Sequence, residues 1–287
     1  SWYDDRKYTE SRYGHISSWD TSLITDMSNL FLKKGNFNDD ISRWDVSKVE
    51  NMSNMFNGAK LFNQSLNNWN VSKVTNMNEM FSDVIIFDKP LNNWNVSKVT
   101  TMNGMFKTAY SFNQTLDTQH VTRDDGSTYM AWDVSNVENM SGMFKVAGAF
   151  KQPLNNWNVS KVKDMSSMFE GAKYFNQPLN NWDVSNVENM TEMFYYAECF
   201  NQDLNAWHLK DRVKMRNMFE GTTNLQHIPQ WYQYYLDNSQ MESNSENENS
   251  NYSFPDDILE NTNNENTNNE NTNNENTNNG YETMSME

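Results

Sequence analysis

The stretch WDVSKVENMSNMFNGAKLFNQSLNN, residues 44–68, decides the fold, because the chain then says it again: WNVSKVTNMNEMF opens at Trp69 and WNVSKVTTMNGMF at Trp94. Working outward, Trp19, Trp44, Trp69, Trp94, Trp132, Trp157, Trp182 and Trp207 are separated by 25, 25, 25, 38, 25, 25 and 25 residues. Self-similarity at such a period belongs to arrays in which each unit buries its apolar face against its neighbours. The expected architecture is a repeat solenoid of about eight coils.

Counting from each Trp as position zero, Val46, Val71, Val96, Val134, Val159 and Val184 stand at +2, and Val recurs at +5. Met27 through Met215 fill +8, Met55 through Met218 fill +11 after Leu30 in the first unit, and Phe31 through Phe219 fill +12 in every unit. The offsets +8, +11 and +12 are the i, i+3, i+4 spacing of one helical face, which predicts a short helical turn pressing Met, Met and Phe inward. Phe recurs at +18 and Leu at +22. In Phe62-Asn63-Gln64-Ser65-Leu66 that spacing puts both apolar side chains on one side of an extended chain, predicting a short parallel strand per unit, with a second from +2 to +5. The fold class is therefore expected to be mixed α/β: short parallel strands plus one helical turn per coil. The N/D-V-S element after each Trp is expected to form an Asx-type corner. The double Asn before Trp, as in Asn67-Asn68 and Asn92-Asn93, is expected either to ladder from coil to coil or to present its amides to a ligand.

Domain organisation follows from the ends of the pattern. Residues 1–13 carry Trp2, Tyr3, Tyr8 and Tyr13 and are expected to cap the first unit; 14–226 form the repeat body; 227–236, with Trp231, Tyr232, Tyr234 and Tyr235, cap the last. Residues 237–287 are rich in Asn, Glu, Ser and Thr and poor in apolar side chains, the composition of a disordered tail. Of the formal net charge of −16, this tail supplies twelve acidic side chains and no basic one, so the body holds 22 Lys and Arg against 26 Asp and Glu. A nearly neutral body beside an acidic tail argues against nucleic acid as a partner. Lys48, Lys73 and Lys98 at +4 form the one ordered basic row. They are candidates for a polar interaction edge, or else solvated residues that keep backbone edges from pairing.

The 38-residue interval holds about thirteen extra residues, 118–130, reading TQHVTRDDGSTYM. Asp125-Gly126 predicts a hairpin turn there. His120, Arg123 and Tyr129 make this projecting loop the candidate interaction site, since such side chains concentrate binding energy at interfaces.

Catalysis and metal binding find no foothold. Asp and Asn trade places at +1, which suits hydrogen bonding and not acid–base work, since a catalytic pair needs two distinct environments. His15, His120, His208 and His227 have no ligand spacing, and the Met ladder at i, i+3 beside Phe has the profile of a core stripe. Cys199, the only cysteine, is expected to be a buried thiol. No cofactor is expected, and no enzyme activity. No run of 18 apolar residues exists, so no membrane-inserted segment is expected within this chain.

The consensus W-[DN]-V-S-x-V-x-x-M-x-x-M-F-x-x-A-x-x-F-[NK]-Q-x-L resembles the bacterial surface protein repeat, related to the BspA-type leucine-rich repeats, over eight units between about residues 14 and 226. The last unit departs from it, with Val213 one place late and Leu225 in place of Phe. The resemblance implies a leucine-rich-repeat-like solenoid and a cell-surface or secreted location. It also implies a recognition role, and with the absence of catalytic motifs the chain is expected to be a non-enzymatic recognition or adhesion scaffold, monomeric, whose partner is a protein or glycan on another surface. The alternative is a structural component of a virion or cell coat.

Overall fold

The computed structural model describes residues 2–3 and 5–242; the Asn- and Glu-rich segment expected to be disordered lies, from residue 243 onward, outside the described residues. The chain is a repeat protein whose 25-residue units lie one upon another in register. Position +7 of each unit bridges position +7 of the next in parallel, from Asp26 to Asn51 and onward through Asn189 to Lys214.

The inward columns run without a break from unit to unit. Val, Met, Met, Phe, Phe, Leu and Trp at the repeat positions from Val46 to Leu204 are buried. The +12 rings stack at 5.4 Å for Phe31–Phe56 and 5.7 Å for Phe144–Phe169, and within a unit the +12 and +18 rings stack, as Phe56 does on Phe62 at 4.2 Å. From Trp44 to Trp207 each indole also ties the stack together by donating to a backbone carbonyl 28 residues back, or 41 where the insertion intervenes. The Nε1 of Trp44 donates to Ile16 O at 2.9 Å, that of Trp94 to Leu66 O at 2.9 Å and that of Trp157 to Leu116 O at 2.8 Å.

The backbone inside a unit differs from the sequence expectation. The Met-Met-Phe segment is not a helical turn but a run of successive β-turns. Its amides alternate: those at +11, +13 and +15 bond three residues back (Met55 to Met52 O, Asn57 to Asn54 O, Ala59 to Phe56 O), while those at +8, +10, +12 and +14 donate to the following unit (Met52 to Asn76 O, Asn54 to Asn78 O, Phe56 to Met80 O, Gly58 to Ser82 O). The alternation works because +10 and +14 are left-handed in all eight units, for example Asn54 at φ 55° and Gly58 at φ 73°. A left-handed residue ends each turn and swings the next amide out of the unit's own plane, so a continuous α-helix cannot form. The i, i+3, i+4 spacing is shared by helix and consecutive turns; the inward side chains were legible, the backbone between them was not.

Neither expected strand forms. At +2 to +5 the chain makes a β-turn, Val49 N to Val46 O at 3.0 Å, closed by the expected Asx corner, Ser47 N to Asp45 Oδ1 at 2.9 Å. At +18 to +22 stacking passes through side chains: Asn63 N donates to Asn38 Oδ1 at 2.9 Å, and Gln64 Nε2 to Asn38 O at 3.0 Å. An amide side chain thus supplies the acceptor that a strand partner would have supplied. Among the described residues the only strands are β1, Gln119–Thr122, and β2, Thr128–Ala131.

The ends are capped as expected in part. Helix α1, Arg6–Tyr13, starts where Asp5 accepts Tyr8 N at 2.9 Å and ends at left-handed Gly14. Trp2 is buried, but Tyr8 and Tyr13, read as part of the lid, are exposed. Helix α2, Gln230–Glu242, runs beyond the expected cap boundary at 236. Its Trp231 occupies a ninth Trp position, stacked on Trp207 at 6.1 Å and bonded to Leu204 O at 2.9 Å. Cys199 is only partly buried, not fully as expected.

Candidate functional site

The insertion is the one place where the chain leaves its repeat. β1 and β2 pair antiparallel, with His120 opposite Met130 and Val121 opposite Tyr129. The turn forms at the expected Asp125-Gly126, where Gly126 takes φ 81° and its N–H donates to Arg123 O at 2.9 Å, and Asp125 Oδ1 accepts Ser127 N at 2.9 Å and Ser127 Oγ at 2.6 Å. The Ser127 hydroxyl first, and then its backbone N–H, hold the Asp125 carboxyl below the usual carboxylate range.

The hairpin does not project freely; it folds back over the corners of the third and fourth units. Tyr129 Oη donates to Asn93 O at 2.5 Å, Gln119 Nε2 to Asn92 O at 2.9 Å, and the Arg123 guanidinium lies 4.2 Å from the Tyr129 ring centre. Burial pushes the Tyr129 phenol upward, against the opposing charge of Arg123, so it remains a donor at neutral pH. Between hairpin and stack lies a cleft of about 690 Å³. Asn68, Asn70 and Asn95 form one wall, Arg123, Asp124 and Tyr129 the other.

Of the three predicted loop residues, Arg123 and Tyr129 converge on this cleft. His120 does not: one residue from Val121 on a strand, it faces the other side of the hairpin and is exposed. The cleft's Asn wall was legible only as a choice between ladder and ligand, and the structure divides the roles. Asn67 ladders, its Nδ2 to Asn92 Oδ1 at 3.0 Å and its Oδ1 from Asn93 N at 3.0 Å. Asn68 is exposed at the rim. Asn70 and Asn95 use their Oδ1 atoms for Asx corners, at 3.3 Å to Ser72 N and 3.2 Å to Ser97 N, which turns their NH₂ groups away from those corners. Asp124 was missed, because nothing in the sequence says that the hairpin bends toward the repeats.

Lys48, Lys73 and Lys98 are exposed, one per unit, and none of them lines the cleft. Farther along the stack the charges pair across units: Lys163 with Glu138 at 2.7 Å and Lys210 with Glu188 at 3.0 Å. The hydrogen bond and charge of Glu138 raise the Lys163 ammonium, and those of Lys163 lower the Glu138 carboxyl. At the position of the row in the fifth unit, Asn136 donates to Ser97 O at 2.8 Å and accepts from Lys161 Nζ at 2.6 Å. Among the described residues no group of three or more His, Cys, Asp or Glu side chains could hold a metal ion, and no helix is long and apolar enough to cross a membrane.

No curated protein matches the chain. A family model described as Mycoplasma protein of unknown function, DUF285, matches it twice in tandem, over residues 5–119 and 118–231. The two matches meet where β1 begins, so the hairpin separates two sets of four units. The chain accordingly belongs to this bacterial repeat family of unknown function, with two copies of the family unit in tandem.

Proposed function

We propose that the chain is a non-enzymatic recognition or adhesion scaffold, a leucine-rich-repeat-like solenoid acting at a cell surface or after secretion. Its partner, a protein or glycan, is held in the cleft beneath the hairpin. The observation that carries this reading is the hairpin's placement: the single insertion in a regular stack is bent back, pinned by Tyr129 and Gln119, and encloses a polar cleft walled by Asn side chains. Amides on one wall facing an arginine, an aspartate and a tyrosine on the other suit a neutral, hydroxyl- or amide-rich ligand. The test is a glycan-array and pull-down screen with the full chain and with a form lacking residues 118–130. Ligands retained by the full chain and lost on deletion support the proposal; ligands retained by both exclude the cleft.

The structural-component reading also has an observation in its favour. The carbonyls of Asp26, Ser28, Leu30 and Leu32, whose counterparts in later units accept inter-unit bonds, meet no backbone donor among the described residues. Ordered, concentration-dependent end-to-end association in sedimentation would favour this reading over recognition.

A further inference from the structure

One corner of the stack is apolar where the fold does not ask for it. At this corner the +17 amide donates to the +16 carbonyl of the preceding unit: Leu61 N to Gly35 O at 3.0 Å, Ser111 N to Ile85 O at 3.2 Å, Ala149 N to Tyr110 O at 3.2 Å, Cys199 N to Lys173 O at 3.1 Å and Asn224 N to Glu198 O at 3.2 Å. Leu, Ser, Ala, Cys and Asn make the same bond, so the corner forms without an apolar side chain. In the first unit it reads Gly35-Asn36 and in the last Thr223-Asn224. The six units between carry Leu61, Ile86, Tyr110, Ala149, Tyr174 and Cys199, one each, at +17 or, for Tyr110, at +16. Leu61, Ile86, Tyr110 and Tyr174 are 46, 39, 49 and 55% exposed.

Exposed apolar residues scattered singly need no explanation, but a continuous row with polar ends marks a contact surface. The adjoining +18 rings lie 5.9 Å apart at Phe87–Phe112 and 6.2 Å apart at Phe175–Phe200, so five such steps carry the row over about 30 Å, a narrow stripe at the small end of specific interfaces.

The stripe matches itself when turned end for end. About a two-fold axis between the fourth and fifth units, the second unit faces the seventh, the third the sixth and the fourth the fifth. Lys60 then meets Glu198, Ile86 meets Tyr174, and Tyr110 meets Gly148-Ala149, the smallest pair on the row. On the flank, exposed Asp88 stands one unit from exposed Lys151 of the opposite copy. A parallel pairing would instead set Lys60 against Lys60 and Tyr110 against Tyr110. Charge and size are complementary in the antiparallel arrangement and clash in the parallel one.

We propose that this stripe is the contact face of an antiparallel homodimer, its occupant a second copy of this chain related by that two-fold axis. Such an isologous pair closes on itself, unlike the end-to-end association considered above. It uses none of the residues that line the hairpin cleft, does not rest on the adhesion reading, and replaces the monomer that the sequence led us to expect.

The experiment is sedimentation of the full chain over a concentration series at low salt. A reversible monomer–dimer equilibrium is expected that stops at the dimer, with a dissociation constant at or above about a micromolar. The double variant Ile86→Asn, Tyr174→Asn should fold, because the same corner holds Asn36 and Asn224, and should weaken the dimer at least about tenfold. Lys60→Glu and Glu198→Lys should each weaken it about tenfold, since each places two like-charged pairs across the axis, and an equimolar mixture of the two should recover dimerisation, because in the mixed pair both contacts are again opposite in charge. Deletion of residues 118–130 should leave the dimer intact. The proposal is overturned by a chain that stays monomeric at about 1 mM, which would leave the stripe to a different partner, by association that continues past the dimer, or by loss of the dimer on deleting the hairpin. It is equally overturned if the Asn variant dimerises like the parent, or if the two charge variants fail to recover on mixing.

Discussion

Trp157 does three things at once: it buries an indole, stacks on Trp132 at 6.1 Å and donates to Leu116 O at 2.8 Å, a carbonyl inside the stack. Trp157→Phe keeps a ring but abandons that carbonyl, so urea unfolding should show a loss of about 1–3 kcal/mol beyond the change in buried area. The left-handed positions make a second test at the same scale. Val146 at +14 sits at φ 57°, where a β-branched side chain is strained by about 1–2 kcal/mol. Val146→Gly is therefore expected to stabilise by about 1 kcal/mol after the backbone entropy of Gly is set against the relief. Gly58→Ala should do the reverse, since its Cβ would stand 3.2 Å from Lys33 Cα. Inward residues were readable because every unit spells them alike. The left-handed ones were not, because +10 and +14 hold Asn54, Glu79, Gly104, Ser167, Lys33, Thr108, Val146 and Tyr196 among others. No shared side chain marks a geometry that tertiary packing imposes.

At the level of elements, the turns that replace helix and strand are closed by carboxylates and amides interchangeably. Asp45 and Asp26 accept from Ser47 and Ser28, and the Ser hydroxyl and then its amide hold each carboxyl below its ordinary value. A lowered folded-state value contributes stability that is present above the unfolded value, about 3.9, and disappears as the pH falls through the folded one. Melting temperature should thus drop below about pH 4, and the triple variant Asp20→Asn, Asp26→Asn, Asp45→Asn should flatten that limb, since Asn fills the same role at Asn70 and Asn51. The hairpin was legible from Asp125-Gly126 as a turn, but its direction was not, because the acceptors that bend it, Asn92 O and Asn93 O, are backbone atoms without a sequence signature. Deleting 118–130 leaves Leu116-Asp117-Ala131-Trp132, the spacing of Leu66-Asn67-Asn68-Trp69. The shortened chain should keep its unfolding free energy to within about 0.5 kcal/mol per lost surface contact while losing the cleft.

At the level of the molecule, a single unit has no partner for half of its turn amides; it is complete only beneath another. The Trp period made this stacking legible, and the resemblance to surface repeats agrees with it at the level of a bacterial repeat family. What the period could not convey is that the units join through turn amides and Asn side chains and not through strands. Single-residue hydrogen exchange tests that arrangement most directly. The +10 and +14 amides that donate to the next unit, such as Glu192 to Arg216 O at 2.9 Å and Tyr196 to Glu220 O at 2.8 Å, should exchange slowly. Their counterparts in the last unit, Asn217 and Gly221, have no unit beyond them and should exchange much faster. Equal, rapid exchange at Asn54, Glu79, Ser167 and Glu192 would mean that the units do not stack in this register, and the fold described above would be wrong.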